Sequence, residues 1–339
     1  MRVSRCQGGV RGGCEFGGMA ETSVRSAIST RGLVKRFGEQ VAVDGVDLDV
    51  PVGSVFGLLG PNGAGKTTIV RMLATLLAPD GGIATVGGYD VVRQAHLVRR
   101  LIGLTGRYAS VDESLSGREN LYMIGRLLGM PARDARRRAD ALLETFGLVD
   151  SARKLAKNYS GGMRRRLDLA ASLMGRPSVL FLDEPTTGLD PQRRNDLWDI
   201  VRELAWDGAA VMLTTQYMDE AEALARHIAV MDHGRIVASG SPEELKRQVA
   251  GRRLRVRPTD ASDLPVLQTL MTEVLGFAEE ADFGYVSGPL SEDDQLDMEL
   301  RRVAAKEISV GDVGTVTSSL DEVFIALTGK GKGEGEGDV

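Results

Sequence analysis

The residues Gly60-Pro61-Asn62-Gly63-Ala64-Gly65-Lys66-Thr67 combine backbone freedom, one cation and one hydroxyl in a single short stretch. They fit the spacing G-x-x-x-x-G-K-S/T. They also stand between a short apolar run, Val55 to Leu59, and a stretch with helical spacing of Ile69, Met72, Leu73, Leu76 and Leu77. In that context the glycines let peptide N–H groups turn toward phosphate oxygens, and the N-terminus of the following helix adds partial positive charge. Lys66 supplies a full charge, and Thr67 offers a hydroxyl to magnesium. A nucleoside triphosphate with Mg2+ is the natural ligand of such a loop; a glycine-rich turn without chemistry is the alternative.

Val179-Leu180-Phe181-Leu182 is a continuous apolar run, as in a strand covered on both faces, and it ends in Asp183-Glu184. Sheets of this kind bind ligands beyond the C-terminal ends of their strands, so two carboxylates delivered there supply the second half of a nucleotide site. Asp183 is expected to hold the metal through water. Glu184 is expected to orient or deprotonate the water that attacks the γ-phosphate opposite the leaving group.

Tyr159-Ser160-Gly161-Gly162-Met163 opens an arginine-rich helix 23 residues before Asp183, counted from Ser160. Serine and two glycines at a helix start form an anion-binding N-terminus. With the following Pro185-Thr186-Thr187-Gly188-Leu189-Asp190, this segment resembles the signature and the loop after Walker B of ATP-binding cassette (ABC) ATPases, a likeness that covers about residues 28–248. The resemblance implies an α/β fold: a P-loop, RecA-like core with antiparallel β and helical subdomains. It implies ATP as ligand, bound by Gly60 through Thr67 with Thr68. Ser160, Gly161 and Gly162 would face a second subunit's nucleotide, and Asp190 would lie in the loop that crosses the dimer. Phe37, in Lys35-Arg36-Phe37-Gly38, matches the aromatic that stacks on adenine; a core phenylalanine is the other reading.

Three positions depart from the common ABC pattern. Met163 replaces the usual glutamine of the signature, away from its phosphate contacts. Arg107 stands where a glutamine contacts metal and attacking water; it would either hold nucleotide while displacing magnesium or water, or swing out to solvent. Gln216 occupies the place of the switch histidine, and its amide donates to a γ-phosphate but never becomes cationic. Gln216, the segment Tyr159 to Arg166 and the ending Ser319-Leu320-Asp321-Glu322-Val323-Phe324-Ile325-Ala326-Leu327-Thr328-Gly329 together resemble the ATP-binding subunit of daunorubicin-resistance-type ABC exporters. That resemblance implies a homodimer, a separate membrane permease and outward movement of a hydrophobic drug or lipid-like compound. The alternatives are an ATP-gated regulatory cassette with little hydrolysis and a soluble cassette acting on ribosomes or DNA.

The elements that must position these groups follow from hydrophobic period. Ile28 to Val50 alternates, with Val41, Val43, Val46, Leu48 and Val50 apolar, so an antiparallel start is expected. Glu119 to Ala156 is helical in pattern and divided by Gly129, Pro131 and Gly147 into two or three helices, an inserted helical subdomain over about residues 107–165. Ala209 to Leu213 reads as a further buried strand, and Ile228 to Met231 with Ile236 to Ala238 as a hairpin about Asp232-His233-Gly234-Arg235. The ABC domain is expected over 28–248. A small α+β domain over 249–328 follows, with strand, helix, strand, helix and strand at Arg252 to Arg257, Pro265 to Leu275, Gly284 to Ser287, Gln295 to Lys306 and Ile308 to Val316. Residues 1–27, which hold both cysteines, Cys6 and Cys14, read as a disordered extension, and 329–339 as a flexible tail.

Composition narrows the class. Forty-two basic against 47 acidic residues leave a net charge of −5, so no overall field draws the chain to nucleic acid. The longest uncharged stretch, Val50 to Gly65, has 16 residues with two prolines and five glycines, too short and too polar to span a bilayer. With no apolar signal at its start, the chain is expected in the cytoplasm; the resemblance implies that a permease holds it at the membrane's inner face. His96, His227 and His233 lack ligand spacing. Arg133 to Arg138 reads as a solvated helix face, or as a contact for permease or lipid headgroups, and Arg164 to Arg166 as supports of the signature helix.

Overall fold

The computed structural model describes residues 26–106, 111–249, 252–275, 278–281, 284–290, 308–316, 320 and 323–324. The cysteines, Arg107, the expected helix Gln295 to Lys306 and the terminal tail lie outside them.

Two long strands, β1 (Ser26–Phe37) and β2 (Gln40–Pro51), pair antiparallel and bury Val43, Val46, Leu48 and Val50 while Asp47 and Asp49 face out. After β3 (Val55–Leu59) comes helix α1 (Lys66–Leu73). The apolar spacing predicts a helix to Leu77, but Thr75 takes a φ of 63° and ends it, leaving Leu76 exposed. Strands β4 (Gly81–Val86) and β5 (Tyr89–Asp90), absent from the sequence reading, complete a first sheet in the order β2-β1-β4-β5. Helix α2 (Ala95–Leu101) then leads into β6 (Ile102–Thr105).

The helical insertion holds α3 (Gly117–Leu127) and α4 (Ala132–Thr145). A reciprocal capping box between Ser116 and Glu119 starts α3; Gly129, at a φ of 81°, and Pro131 separate it from α4. Arg138 departs from the solvated-face expectation: it is partly buried, and its Nη2 donates to Leu173 O at 3.0 Å. Next come α5 (Gly161–Ser172), β7 (Val179–Asp183), α6 (Pro191–Trp206), β8 (Ala210–Thr215), α7 (Met218–Leu224), β9 (His227–Asp232), β10 (Arg235–Gly240) and α8 (Pro242–Val249).

The main sheet has the order β10-β9-β3-β8-β7-β6, parallel throughout except for β10. Both of its faces are covered, which is why its strands read as unbroken apolar runs. Along β7, Val179 and Phe181 pack with Phe56, Ile69 and Met212, while Leu180 and Leu182 pack on the opposite face with Leu121, Phe146 and Leu167. Full burial of such side chains stabilises by about 1.5–3 kcal/mol each, so the strand that ends in Asp183 is anchored from both sides.

A third, antiparallel sheet contains β11 (Arg252–Pro258), β12 (Glu279–Ala281), β13 (Tyr285–Leu290) and β14 (Val310–Val316), in the order β12-β13-β11-β14. Helix α9 (Leu264–Leu275) covers it, and Leu254, Val256, Leu267, Met271 and Val286 form its own core. Near the chain's end, Leu320 and Val323 are buried against Ala221, Ile228 and Leu245 of the larger unit.

Candidate functional site

Strand β3 carries the chain to Gly60, where a Cβ would stand 2.3 Å from Met231 O. At Gly65, φ is 108° and a Cβ would stand 2.3 Å from Ala42 O. Backbone, not a movable side chain, occupies both places, so only glycine permits this turn. Helix α1 starts directly after it with no side-chain cap and no acidic residue in its first turn. Its first N–H groups therefore meet the loop without a competing carboxylate. The buried Lys66 folds back over the loop, and its Nζ donates to Gly60 O at 2.6 Å and Pro61 O at 2.9 Å.

Strand β7 brings Asp183 beside this turn. The Thr67 hydroxyl is 3.1 Å from each Asp183 carboxylate oxygen, and Thr214 Oγ1 donates to Asp183 Oδ1 at 2.5 Å. Glu184 follows, buried, with a φ of 49° and its N–H donating to Thr214 O at 3.0 Å. A hydroxyl and a carboxylate beside an open loop are the hard oxygen donors that Mg2+ takes, so the residues present fit the ion.

Phe37, Asn62, Lys66, Thr67, Thr68 and Glu184 line one cavity of about 810 Å³, which Gly63 and Gly65 also border. Phe37 is half exposed at its edge, not in the core, with Lys35 Nζ 5.6 Å from its ring centre. Pro61 and Ala64 shape the loop from within, through Ala64 N–H to Pro61 O at 3.2 Å. A second cavity, of about 570 Å³, is lined by Gly161, Arg165, Glu184, Gly188 and Gln216. Glu184 is thus common to both cavities.

The signature residues do not line the phosphate-loop cavity of their own chain. Ser160 caps α5 by accepting from Met163 N–H at 3.3 Å, and Gly162 lies under Arg193, whose Nη1 a Cβ there would meet at 2.8 Å. Asp190 caps α6, accepts from Arg193 N–H at 3.0 Å and pairs with the Arg193 guanidinium at 3.2 Å. Arg107 lies outside the described residues.

Three groups at the site go beyond the sequence reading. Thr214 is one; a threonine pair ending the apolar run of β8, just before Gln216, is the only signal for it. Arg165 is more than a support of its own helix, as described below. Glu220, fully buried on α7, lies among Thr215, Thr186 and Trp198. Burial pushes its carboxyl above the ordinary value, and the polar groups of those three residues offset this only in part.

The chain is similar to known ATP-binding proteins of ABC transporters. The family model described as "ABC transporter" matches residues 43–187. The chain is 51% identical over 310 residues to the daunorubicin/doxorubicin resistance ATP-binding protein DrrA of Streptomyces peucetius, covering 91% of this chain and 94% of that one. It is 43% identical over 309 residues to the doxorubicin resistance ATP-binding protein DrrA of Mycobacterium tuberculosis, covering 89% and 93%. A Nod factor export ATP-binding protein I of Ralstonia nicotianae is 42% identical over 77% of this chain and 82% of its own. Among solved structures, a nucleotide-free ATP-binding cassette from an ABC transporter superposes with a TM-score of 0.60 at 26% identity, covering 66% of this chain and 94% of that one.

Proposed function

The chain belongs to the daunorubicin-resistance type of ABC transporter ATP-binding proteins, and on that premise we propose that two copies of it, each holding ATP with Mg2+ under the Gly60–Thr67 loop, power export of a hydrophobic drug or lipid-like compound through a separate permease. It is an ATPase subunit. Among the described residues no helix is long and apolar enough to cross a membrane.

Lys66 leaves the Gly60 and Pro61 carbonyls and sets its charge on the β- and γ-phosphates. Thr67 and Asp183 would hold Mg2+, which would supply charge neutralisation to the phosphates. Phe37 stacks on the base. Glu184 takes the proton of the attacking water as its oxygen bonds to the γ-phosphorus and the bridging oxygen leaves with ADP. Gln216 donates its amide to the γ-phosphate from the neighbouring cavity. The pairing of two copies is supported by one separation within the chain. Ser160, Gly161 and Gly162 form an anion-binding helix start that lines none of the chain's own phosphate-loop cavity, so a second subunit's nucleotide is its natural ligand.

The observation that carries the reading is the convergence of Lys66 and Thr67, at the start of α1, with Asp183 and Glu184, at the end of β7, on one cavity. Glu184→Gln keeps the side chain's shape and the Asp183 carboxylate while removing the base. Steady-state turnover should fall by on the order of 10² or more, with ATP still bound. Parental turnover in that variant overturns the assignment.

A further inference from the structure

The guanidinium of Arg165 donates to four backbone carbonyls at two neighbouring strand ends. Its Nη1 reaches Gly106 O at 2.6 Å, just past β6, and its Nε reaches Pro185 O at 2.9 Å. Its Nη2 reaches Glu184 O at 3.1 Å and Asp183 O at 3.3 Å, at the end of β7. The side chain is 18% exposed and has the buried Asp168 carboxylate 3.8 Å away. Only a planar fork with five N–H groups satisfies so many separate acceptors at once; an ammonium is a single point. Arg165 stands on α5, the helix that begins at Ser160, so it joins the signature helix to both strand ends.

Glu184 is where this matters. Its φ of 49° lies in the left-handed region, costly for a residue with a side chain, and such conformations persist only where the surroundings impose them. Two bonds do so from either side of the residue. The Glu184 N–H donates to Thr214 O at 3.0 Å, and the Glu184 carbonyl accepts from Arg165. The first bond comes from within the sheet and the second from the helical layer.

We propose that Arg165 is a positioning residue for hydrolysis: it holds the Glu184 backbone in the conformation that aims its carboxylate, and ties that conformation to Gly106 and to the signature helix. A movement of α5 relative to the sheet thereby reaches the base directly. The inference rests on the assignment of Glu184 as the base.

The test is single-turnover hydrolysis by the full chain in excess over ATP, with ATP affinity measured in parallel. Arg165→Met should slow the chemical step by about tenfold to a hundredfold, the scale of a displaced reacting group, while ATP affinity stays within about threefold. Arg165→Lys should recover little, because one ammonium does not reach both strand ends. In the Glu184→Gln background, Arg165→Met should change the rate by less than about twofold, since the group it positions is already gone. If Arg165→Met does not fold, Arg165→Lys carries the same comparison. An unchanged rate, a loss of affinity equal to the loss of rate, or additive losses in the double variant would overturn the inference and leave Arg165 as fold support. A Glu184→Gln chain that turns over normally would instead remove the base assignment, whatever Arg165 does.

Discussion

The Thr67 hydroxyl lies 3.1 Å from both carboxylate oxygens of Asp183, although 116 positions separate the two residues. One belongs to the first turn of α1 and the other to the last residue of β7, and the sheet order puts β8 between β3 and β7. From β8 comes the third member, Thr214, whose hydroxyl donates to Asp183 Oδ1 at 2.5 Å. The proposed metal ligand is therefore oriented by two hydroxyls from two different elements.

Thr214→Val removes one of them at nearly constant shape. A hydrogen bond to a charged group contributes roughly 1.5–3 kcal/mol, so half-saturation of the ATPase by Mg2+ should require at least about tenfold more metal. Thr214→Ser should stay near the parent. A magnesium titration identical for Val and Thr would show that the Asp183 carboxylate is oriented without this bond.

Gln216 tests how a neutral amide serves the γ-phosphate. Removing it as Gln216→Ala should reduce turnover by on the order of 10², the effect of one lost transition-state donor, and Gln216→His should keep most of the activity. Steady-state ATPase decides between the outcomes. An alanine variant as fast as the parent would mean that the amide never reaches the phosphate from the second cavity.

Glu220 predicts a pH dependence of stability. Its carboxyl is held above the ordinary value of 4.5, mainly by burial, so the folded chain binds this proton more tightly than the unfolded chain does. The stabilising contribution is then fully present below the unfolded pKa and is lost as pH rises through the folded one. Glu220→Gln removes the titration. Its melting temperature relative to the parent should therefore rise as pH is raised above the ordinary value of 4.5, by about 2–4 °C for each kcal/mol of burial cost. A difference that stays constant across that range, followed by calorimetry, contradicts the assignment.

What was legible in the sequence is what depends on neighbours along the chain. The loop Gly60 to Thr67 needs glycines where the backbone turns and a helix directly after, and both conditions are local. The run Val179 to Leu182 announces a strand buried on both faces, and Asp183-Glu184 at its end follow by position alone. Ser160 before two glycines announces a helix start in the same way. Strands β4, β5, β6 and β12 escaped because they are short or carry glycines that blur the alternation.

The tertiary structure alone decided which of these pieces meet. Thr214 reaches Asp183 across 31 positions and Arg165 reaches Gly106 across 59, contacts that exist because β6, β7 and β8 are adjacent in the sheet. Strand order carries no local signal. It is set by which apolar faces bury best together, a property of the whole core. The same holds for Glu220, whose carboxyl is perturbed by burial that residues on β8, α6 and the loop between β7 and α6 create jointly. It holds too for the left-handed backbone of Glu184, imposed from both sides by residues that are distant in sequence.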